Sequence, residues 1–253
     1  MKISIITATL NSETTMRDTI ESVLRQTYND IELIIEDGGS SDNTLEVCRE
    51  YEPRFKGRMR IFSSPDSGIY EAMNRGLEAA TGDVVGLLNS DDFYTSDDVL
   101  GTVVETFEKT GCDAVYGDAH YVHRTNIKKC IRYYSSKSFT RKQMMGGWMP
   151  AHPSFYCKRV IFKKYGLYDT SFKVAGDFEH LLRLIYIHQI RTEYVEKDFV
   201  TMRIRGASTS GFKSHWIVMK EHLRAFKKNG IKNNFFRLSL RYFDKLTEYL
   251  RRG

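Results

Sequence analysis

A short apolar run, Val84 to Leu88, ends abruptly in Asn89-Ser90-Asp91-Asp92. It is too short for an ordinary helix and reads as a strand buried in a parallel sheet. Ligands of open α/β sheets lie beyond the carboxyl ends of the strands. Asp91 and Asp92 are therefore expected beside a ligand. Hard carboxylate oxygens in that place suit Mg²⁺ or Mn²⁺, ions commonly shared with substrate phosphates. An isolated Asp-Asp pair is equally a turn that caps the next helix, so the rest of the chain must decide.

The first half alternates strand and helix patterns. Apolar runs at 3–8, 31–36, 59–62 and 84–88 read as strands, and 42–51 and 69–80 as helices. Met16, Ile20, Val23 and Leu24 share a helical face, with Ser12 as an available N-cap. Such alternation implies right-handed βαβ crossovers and a mostly parallel sheet. Past residue 110 the character changes. Strands are expected at 114–116 and in a hairpin over 119–133. A Gly/Pro loop spans 146–153, a helix 178–188, an extended segment 194–204, and helices 214–228 and 234–250. The expected organisation is one unit over 1–212, with halves 1–110 and 111–212, followed by basic amphipathic helices over 213–253.

No apolar run approaches a bilayer-spanning length. Cys48, Cys112, Cys130 and Cys157 form no CxxC pair, so zinc and a disulfide framework are disfavoured and a reducing cytoplasm fits. The net charge of +6 is uneven: residues 203–253 hold 13 Lys and Arg against 3 Asp and Glu. A basic end of this kind suits nucleic acid, an anionic membrane surface or an anionic substrate.

Three polar clusters each follow an apolar strand: Thr7-Ala8-Thr9-Leu10-Asn11, Glu36-Asp37-Gly38-Gly39-Ser40-Ser41-Asp42, and Asn89-Ser90-Asp91-Asp92. In a parallel sheet all three fall at one edge and converge on one ligand. Asp37 is suited to accept from a base N–H or a ribose hydroxyl. Taken alone, Glu36 to Asp42 is equally a turn with an N-cap. Asp66 and Ser67 precede a helix start, where N–H groups point outward. Asn74 and Gly76 inside that helix run against propensity, a conflict expected where function or close packing intervenes.

As an ordered set, Ser4 to Asn11, Glu36 to Asp42, Asp66 with Gly68, Asn74-Arg75-Gly76 and Asn89 to Asp92 resemble family 2 glycosyltransferases. These are inverting nucleotide-sugar-dependent enzymes of GT-A fold. Asp66 to Gly76 and the later His152-Pro153 are similar to bacterial enzymes of surface-polysaccharide assembly. The resemblance implies a nucleoside-binding role for Asp37, with Thr7, Thr9, Asn11, Asp66, Asn74, Asn89 and Ser90 also on the nucleotide sugar. The family's DxD metal motif falls on Asn89-Ser90-Asp91. Asn89 replaces its first acid, leaving Asp91 as the main Mn²⁺ or Mg²⁺ ligand, assisted by Asp92.

The family's acidic acceptor-side motif falls on Asp177, implying the general base. Glu179 is the alternative if the register differs, and an N-cap is the bland reading of Asp177. Trp148, suited to stack on sugar C–H surfaces, and His152 are expected on the acceptor side. A buried Trp and a satisfied loop His are equally good readings. Arg203 and Arg205 resemble a segment near the diphosphate. The stripe Phe235 to Leu250, interleaved with Arg and Lys, suits an anionic membrane surface, its own domain or a homodimer face.

The expectation is thus a cytoplasmic, metal-dependent inverting glycosyltransferase, with peripheral contact at the inner membrane face as one option. It would move a sugar from a nucleoside diphosphate donor, UDP by preference, to a glycan or lipid-linked hydroxyl. A nicotinamide oxidoreductase is disfavoured because no GxGxxG follows the first strand. A nucleic-acid binder would use the basic end, but without a metal the carboxylate clusters of the first half would repel phosphate. A silent sugar-nucleotide binder would bind donor without turnover.

Overall fold

The computed structural model describes residues 1–204, 212–236 and 238. β1 (Ile3–Thr9) and β2 (Ile31–Asp37) are buried at every position, as central strands covered on both faces must be. β1 lies parallel to β2 on one side and to β4 (Val84–Leu87) on the other, and β3 (Met59–Ser63) extends β2 in parallel. The carboxyl ends of β1, β2 and β4 therefore share one edge.

The sheet then changes direction. β8 (Phe155–Lys158) runs antiparallel to β4 and to β6 (Ala114–Val122). β9 (Thr192–Arg203) runs parallel to β6, and short β5 (Phe93–Tyr94) closes on β9 antiparallel. β7 (Cys130–Tyr134) makes the expected hairpin with β6. The order β3-β2-β1-β4-β8-β6-β9-β5 thus carries one sheet through both halves of the chain.

Alternate residues of β1 serve opposite faces. Ile6 and Ala8 join a core with α3 (Ile69–Ala79), while Ile3 and Ile5 join one with α1 (Met16–Leu24) and α2 (Thr44–Tyr51). Helix α4 (Val99–Thr110) was not expected. Its buried Val99, Leu100, Val103, Val104 and Phe107 nonetheless repeat at helical spacing, and left-handed Gly111 ends it. Ser12 does not cap α1. Thr15 holds the N-cap position without a side-chain bond.

The second half of the chain adds α5 (Arg159–Tyr165) and α6 (Gly176–Leu181), which continues through a π-helical turn at Leu182–Ile187. α7 (Phe212–Lys228) follows β9. The expected helix over 234–250 falls almost wholly outside the described residues. Among those described, no helix is long and apolar enough to cross a membrane.

Gly86 lies where β4 crosses the Tyr156 ring, and an added Cβ would sit 2.3 Å from that ring's Cε1. Tyr156 is 1% exposed and its hydroxyl donates to Tyr94 Oη at 2.8 Å, so the ring has little room to retreat. Gly86→Ala should cost about 1–3 kcal/mol through overpacking. Urea unfolding should show a lower midpoint at unchanged slope.

Candidate functional site

Three strand-end loops are knitted together before any ligand arrives. Asn11, after β1, adopts a left-handed backbone with φ 52°, which Asn tolerates better than most residues. Its N–H donates to Ser40 Oγ at 2.8 Å, and its Oδ1 accepts from Ser41 N at 2.9 Å. The loop after β1 is thereby tied to that after β2. The Ser12 and Ser90 hydroxyls lie 2.8 Å apart, and Thr15 Oγ1 donates to Ser90 O at 2.8 Å, which ties β1 to the loop after β4.

Between these loops lies a cavity of about 490 Å³, lined by Thr9, Asn11, Asp66, Asn89, Ser90 and Asp91. Gly38 keeps the adjoining wall thin: an added Cβ would come 2.5 Å from Asp66 Oδ2. Thr9 is 5% exposed, and its Oγ1 has no hydrogen-bond partner. A buried hydroxyl without a partner is costly and suits a ligand group.

A second cavity, of about 580 Å³, is lined by Tyr70, Asp91, Asp92, His152, Asp177 and Arg203. Asn89, Asp91 and Arg203 line both cavities. Arg203 is 7% exposed. Its Nη1 donates to Asp91 O at 2.7 Å, its Nη2 pairs with Asp18, and its guanidinium lies 4.9 Å from the Phe93 ring centroid.

The carboxylates of the second cavity differ in environment. Asp92 is 2% exposed, and burial together with the neighbouring Asp91 charge pushes its carboxyl up to about 8. A hydrogen bond from Asn89 Nδ2, at 2.8 Å, opposes that rise. Asp177 opens α6. Its Oδ1 accepts from Phe178 N at 2.7 Å and lies 3.5 Å from Tyr70 Oη. Its Oδ2 has no partner among the described residues. Burial raises the Asp177 carboxyl above its ordinary value, against the pull of His152. Burial lowers His152, whose Nε2 lies 2.8 Å from Tyr168 Oη.

Other expected site residues stand elsewhere. Thr7 is fully buried within β1 and lines neither cavity. Asp37 reaches the expected strand end, but its carboxylate is fully buried. It accepts from Gly39 N at 3.1 Å, Ser40 Oγ at 2.5 Å and Ser63 Oγ at 2.7 Å. It shapes its own loop and lines neither cavity. Asn74 lines neither cavity. Its Nδ2 donates to Tyr168 O and its Oδ1 accepts from Tyr168 N, both at 2.9 Å. Glu179 is fully buried, paired with Arg183 at 3.2 Å, and accepts from Asn229 Nδ2 at 3.1 Å. It is absent from the lining of the second cavity. Trp148 lines a third, smaller cavity rather than that of Asp177. Arg205 lies outside the described residues.

Three further residues, to which the sequence assigns no role, shape these cavities. In sequence Tyr70 reads as one more residue of α3. Its hydroxyl donates to Val174 O at 2.8 Å and accepts from Gly176 N at 2.9 Å, which sets the start of α6. Arg124, from the turn between β6 and β7, lines the first cavity. A basic residue in a hairpin turn carries no pattern that would single it out. Arg75 donates to Glu36 Oε2 at 3.2 Å and to Ser64 O at 3.3 Å, so it holds the loop that bears Asp66.

Among the described residues, no three His, Cys, Asp or Glu gather as a metal cage. One carboxylate beside an amide at an open cavity fits an ion that keeps waters and takes substrate phosphate oxygens.

A sequence model described as "Glycosyl transferase family 2" matches residues 4–173, about two thirds of the chain. The chain belongs to this family. The PGL/p-HBAD biosynthesis glycosyltransferase of Mycobacterium bovis (strain BCG / Pasteur 1173P2) is 29% identical to it over 222 residues, covering 87% of this chain and 82% of that protein. S. aureus TarS 1-349, solved in complex with UDP-GlcNAc, superposes with TM-score 0.70 at 17% identity, over 89% of this family 2 chain. The mannosyltransferase PcManGT from Pyrobaculum calidifontis, in complex with GDP-Man and Mn²⁺, gives TM-score 0.70 at 15% identity, over 92%. The chain spans 66% and 65% of those two, and 39% of a longer TarS chain. At these identities the likeness is one of fold, and the fold is GT-A.

The clamp by Asn74 makes a plain prediction. Asn74→Ala removes both hydrogen bonds to Tyr168 and leaves part-buried backbone groups without them. Urea unfolding should show a loss of about 1–3 kcal/mol.

Proposed function

We propose that this family 2 protein is a metal-dependent inverting glycosyltransferase. The first cavity takes a nucleoside diphosphate sugar, and the second takes the acceptor hydroxyl. The observation that carries this reading is the shared wall. Asp91, at the DxD-like position, lines both cavities, and Asp177 lines the second alone.

Asp177 Oδ2 is the proton acceptor. As the acceptor oxygen attacks the anomeric carbon, its proton passes to Oδ2. The bond from the anomeric carbon to the diphosphate oxygen breaks, and its electron pair leaves with the diphosphate. One displacement inverts the carbon, so no covalent enzyme intermediate is needed. The hydrogen bond from Phe178 N fixes the carboxylate, and burial gives it greater proton affinity than an exposed aspartate. Among the described residues, His152, Tyr70, Tyr121 and Lys173 line the same cavity, and buried Tyr168 lies close behind.

A divalent ion held by Asp91, with Asn89 beside it, would supply Lewis-acid stabilisation of the leaving diphosphate. Arg203 holds Asp91 by its carbonyl, and Arg124 brings a further cation to the diphosphate. Asp37 acts through the loop it braces. Complexes of TarS with UDP-GlcNAc and of PcManGT with GDP-Man support a nucleoside diphosphate sugar as donor. The biosynthetic role named for the mycobacterial relative supports a glycan or lipid-linked acceptor. The free cysteines suit a reducing cytoplasm.

Asp91→Ala should abolish Mn²⁺-dependent binding of UDP in a calorimetric titration while the unfolding midpoint stays near that of the parent. Unchanged binding would remove Asp91 from the metal site. Asp177→Asn should keep donor binding and lower transfer, or slow donor hydrolysis, by about 10²–10⁴-fold. In the parent, activity should fall on acidification at a pH above the ordinary carboxylate range, because protonated Asp177 cannot accept. A mutant that works at the parent rate would leave Asp177 as a helix cap only.

A further inference from the structure

A third cavity, of about 250 Å³, opens beside the second. Trp148 forms one wall, and Ser136, Ser138 and Gln143 bring polar groups to it. Tyr134 and Met149 line this cavity and that of Asp177 alike, so the two share a wall.

The local sequence builds this place rigidly. Thr140 and Gln143 form a capping box that starts the short turn Arg141–Gly146. Gly147 ends that turn in the left-handed region, at φ 81°, and Trp148 N closes back on Gln143 O at 3.3 Å. The indole is thereby held half-buried at the cavity wall. Tyr134 Oη donates to Met149 O at 2.6 Å, which fixes the strip between the two cavities.

Ser136 supplies the decisive observation. It is 2% exposed, and its Oγ has no hydrogen-bond partner. A buried hydroxyl is almost always satisfied, and an orphan calls for an explanation. Its backbone is fully occupied in structure, since Ser136 N donates to Asp118 Oδ1 at 2.6 Å. The side chain, by contrast, contributes nothing to the fold that alanine would not. Gln143 Oε1 accepts from Thr140 N at 2.6 Å, while its Nε2 has no partner among the described residues. An aromatic face, a buried hydroxyl without a partner and a solvent-exposed amide N–H around a small cavity suit one ligand chemistry. A pyranose presents C–H groups on one face and hydroxyls at its edge, with both donors and acceptors.

We infer that this cavity is a second carbohydrate subsite, which holds the sugar unit next to the one that receives transfer. The inference rests on the reading that the Asp177 cavity takes the acceptor. It deepens that reading by naming the acceptor as an oligosaccharide or glycoside of at least two units. Ser136 Oγ donates to, or accepts from, a ring hydroxyl, and Trp148 stacks on the ring's C–H face.

Trp148 and Trp216 are the two tryptophans of the chain. Trp216→Phe therefore isolates the Trp148 fluorescence in the full-length protein. The probes are methyl α- and β-glycosides of glucose, galactose, mannose, rhamnose and N-acetylglucosamine. At least one should shift the Trp148 emission saturably. In the same background Ser136→Ala should weaken that sugar by about threefold to tenfold, the worth of one hydrogen bond. Its unfolding midpoint should stay level or rise, because an unsatisfied buried hydroxyl has been removed. UDP binding with Mn²⁺ should be unchanged. A merely structural Ser136 would lower the midpoint and leave sugar affinity alone. No saturable shift with any glycoside, or equal affinity in Ser136→Ala, overturns the subsite. A parent that fails to bind UDP with Mn²⁺ overturns the donor reading instead, whatever Trp148 reports.

Discussion

The Arg203 guanidinium is the contact on which the site's geometry depends. It stands at the end of β9, in the second half of the chain, and reaches Asp91 O in the loop after β4 and Asp18 on α1. A buried arginine must keep its partners, because an unpaired charge out of water costs several kcal/mol. The half-exposed Asp18 and the Asp91 carbonyl together meet that need, while the Phe93 ring lies within cation–π range. The consequence is positional. The loop bearing Asp91 cannot move without disturbing β9, and β9 is tied through β6 and β8 to the rest of the sheet.

Strand ends were legible in the sequence, and the fates of their side chains were not. Short apolar runs ending in polar clusters located β1, β2 and β4 to within a residue or so, and parallel alternation put those ends on one edge. The pattern could not say whether a carboxylate at that edge would face a ligand or its own loop. Asp91 faces cavities, whereas Asp37 is satisfied by Gly39, Ser40 and Ser63. Asn74-Arg75-Gly76 teaches the same lesson. Its departure from helix propensity was visible, and its cause is packing: Asn74 clamps Tyr168, Arg75 holds the Asp66 loop, and Gly76 lets α3 lie on Ile6, where a Cβ would come 2.4 Å from Cγ2. Tertiary partners 94 residues apart leave no local trace.

The choice between Asp177 and Glu179 turns on helix geometry. Two residues rotate a side chain by about 200° around the axis, so these two cannot share a face. Asp177 is directed to the cavity, which sends Glu179 into the core. There Arg183 meets it and also donates to Leu167 O at 2.6 Å. Glu179 is thus part of the frame that holds the Leu167–Tyr168 segment against α6. Tyr168 in turn carries the hydroxyl that His152 meets. A residue absent from the cavity helps to place one that lines it.

The wall common to the cavities of Asp66 and Asp177 has a thermodynamic corollary. Ligands that touch Asp91 and Arg203 from opposite sides are not independent, since each alters the surface offered to the other. Any coupling is reciprocal: a donor that tightens the acceptor by some factor is itself tightened by the same factor. Affinities measured for one substrate alone therefore describe a different equilibrium from that of the ternary complex. On the proposed function, weak acceptor binding in the absence of nucleotide would reflect that incomplete wall as well as the acceptor's own chemistry.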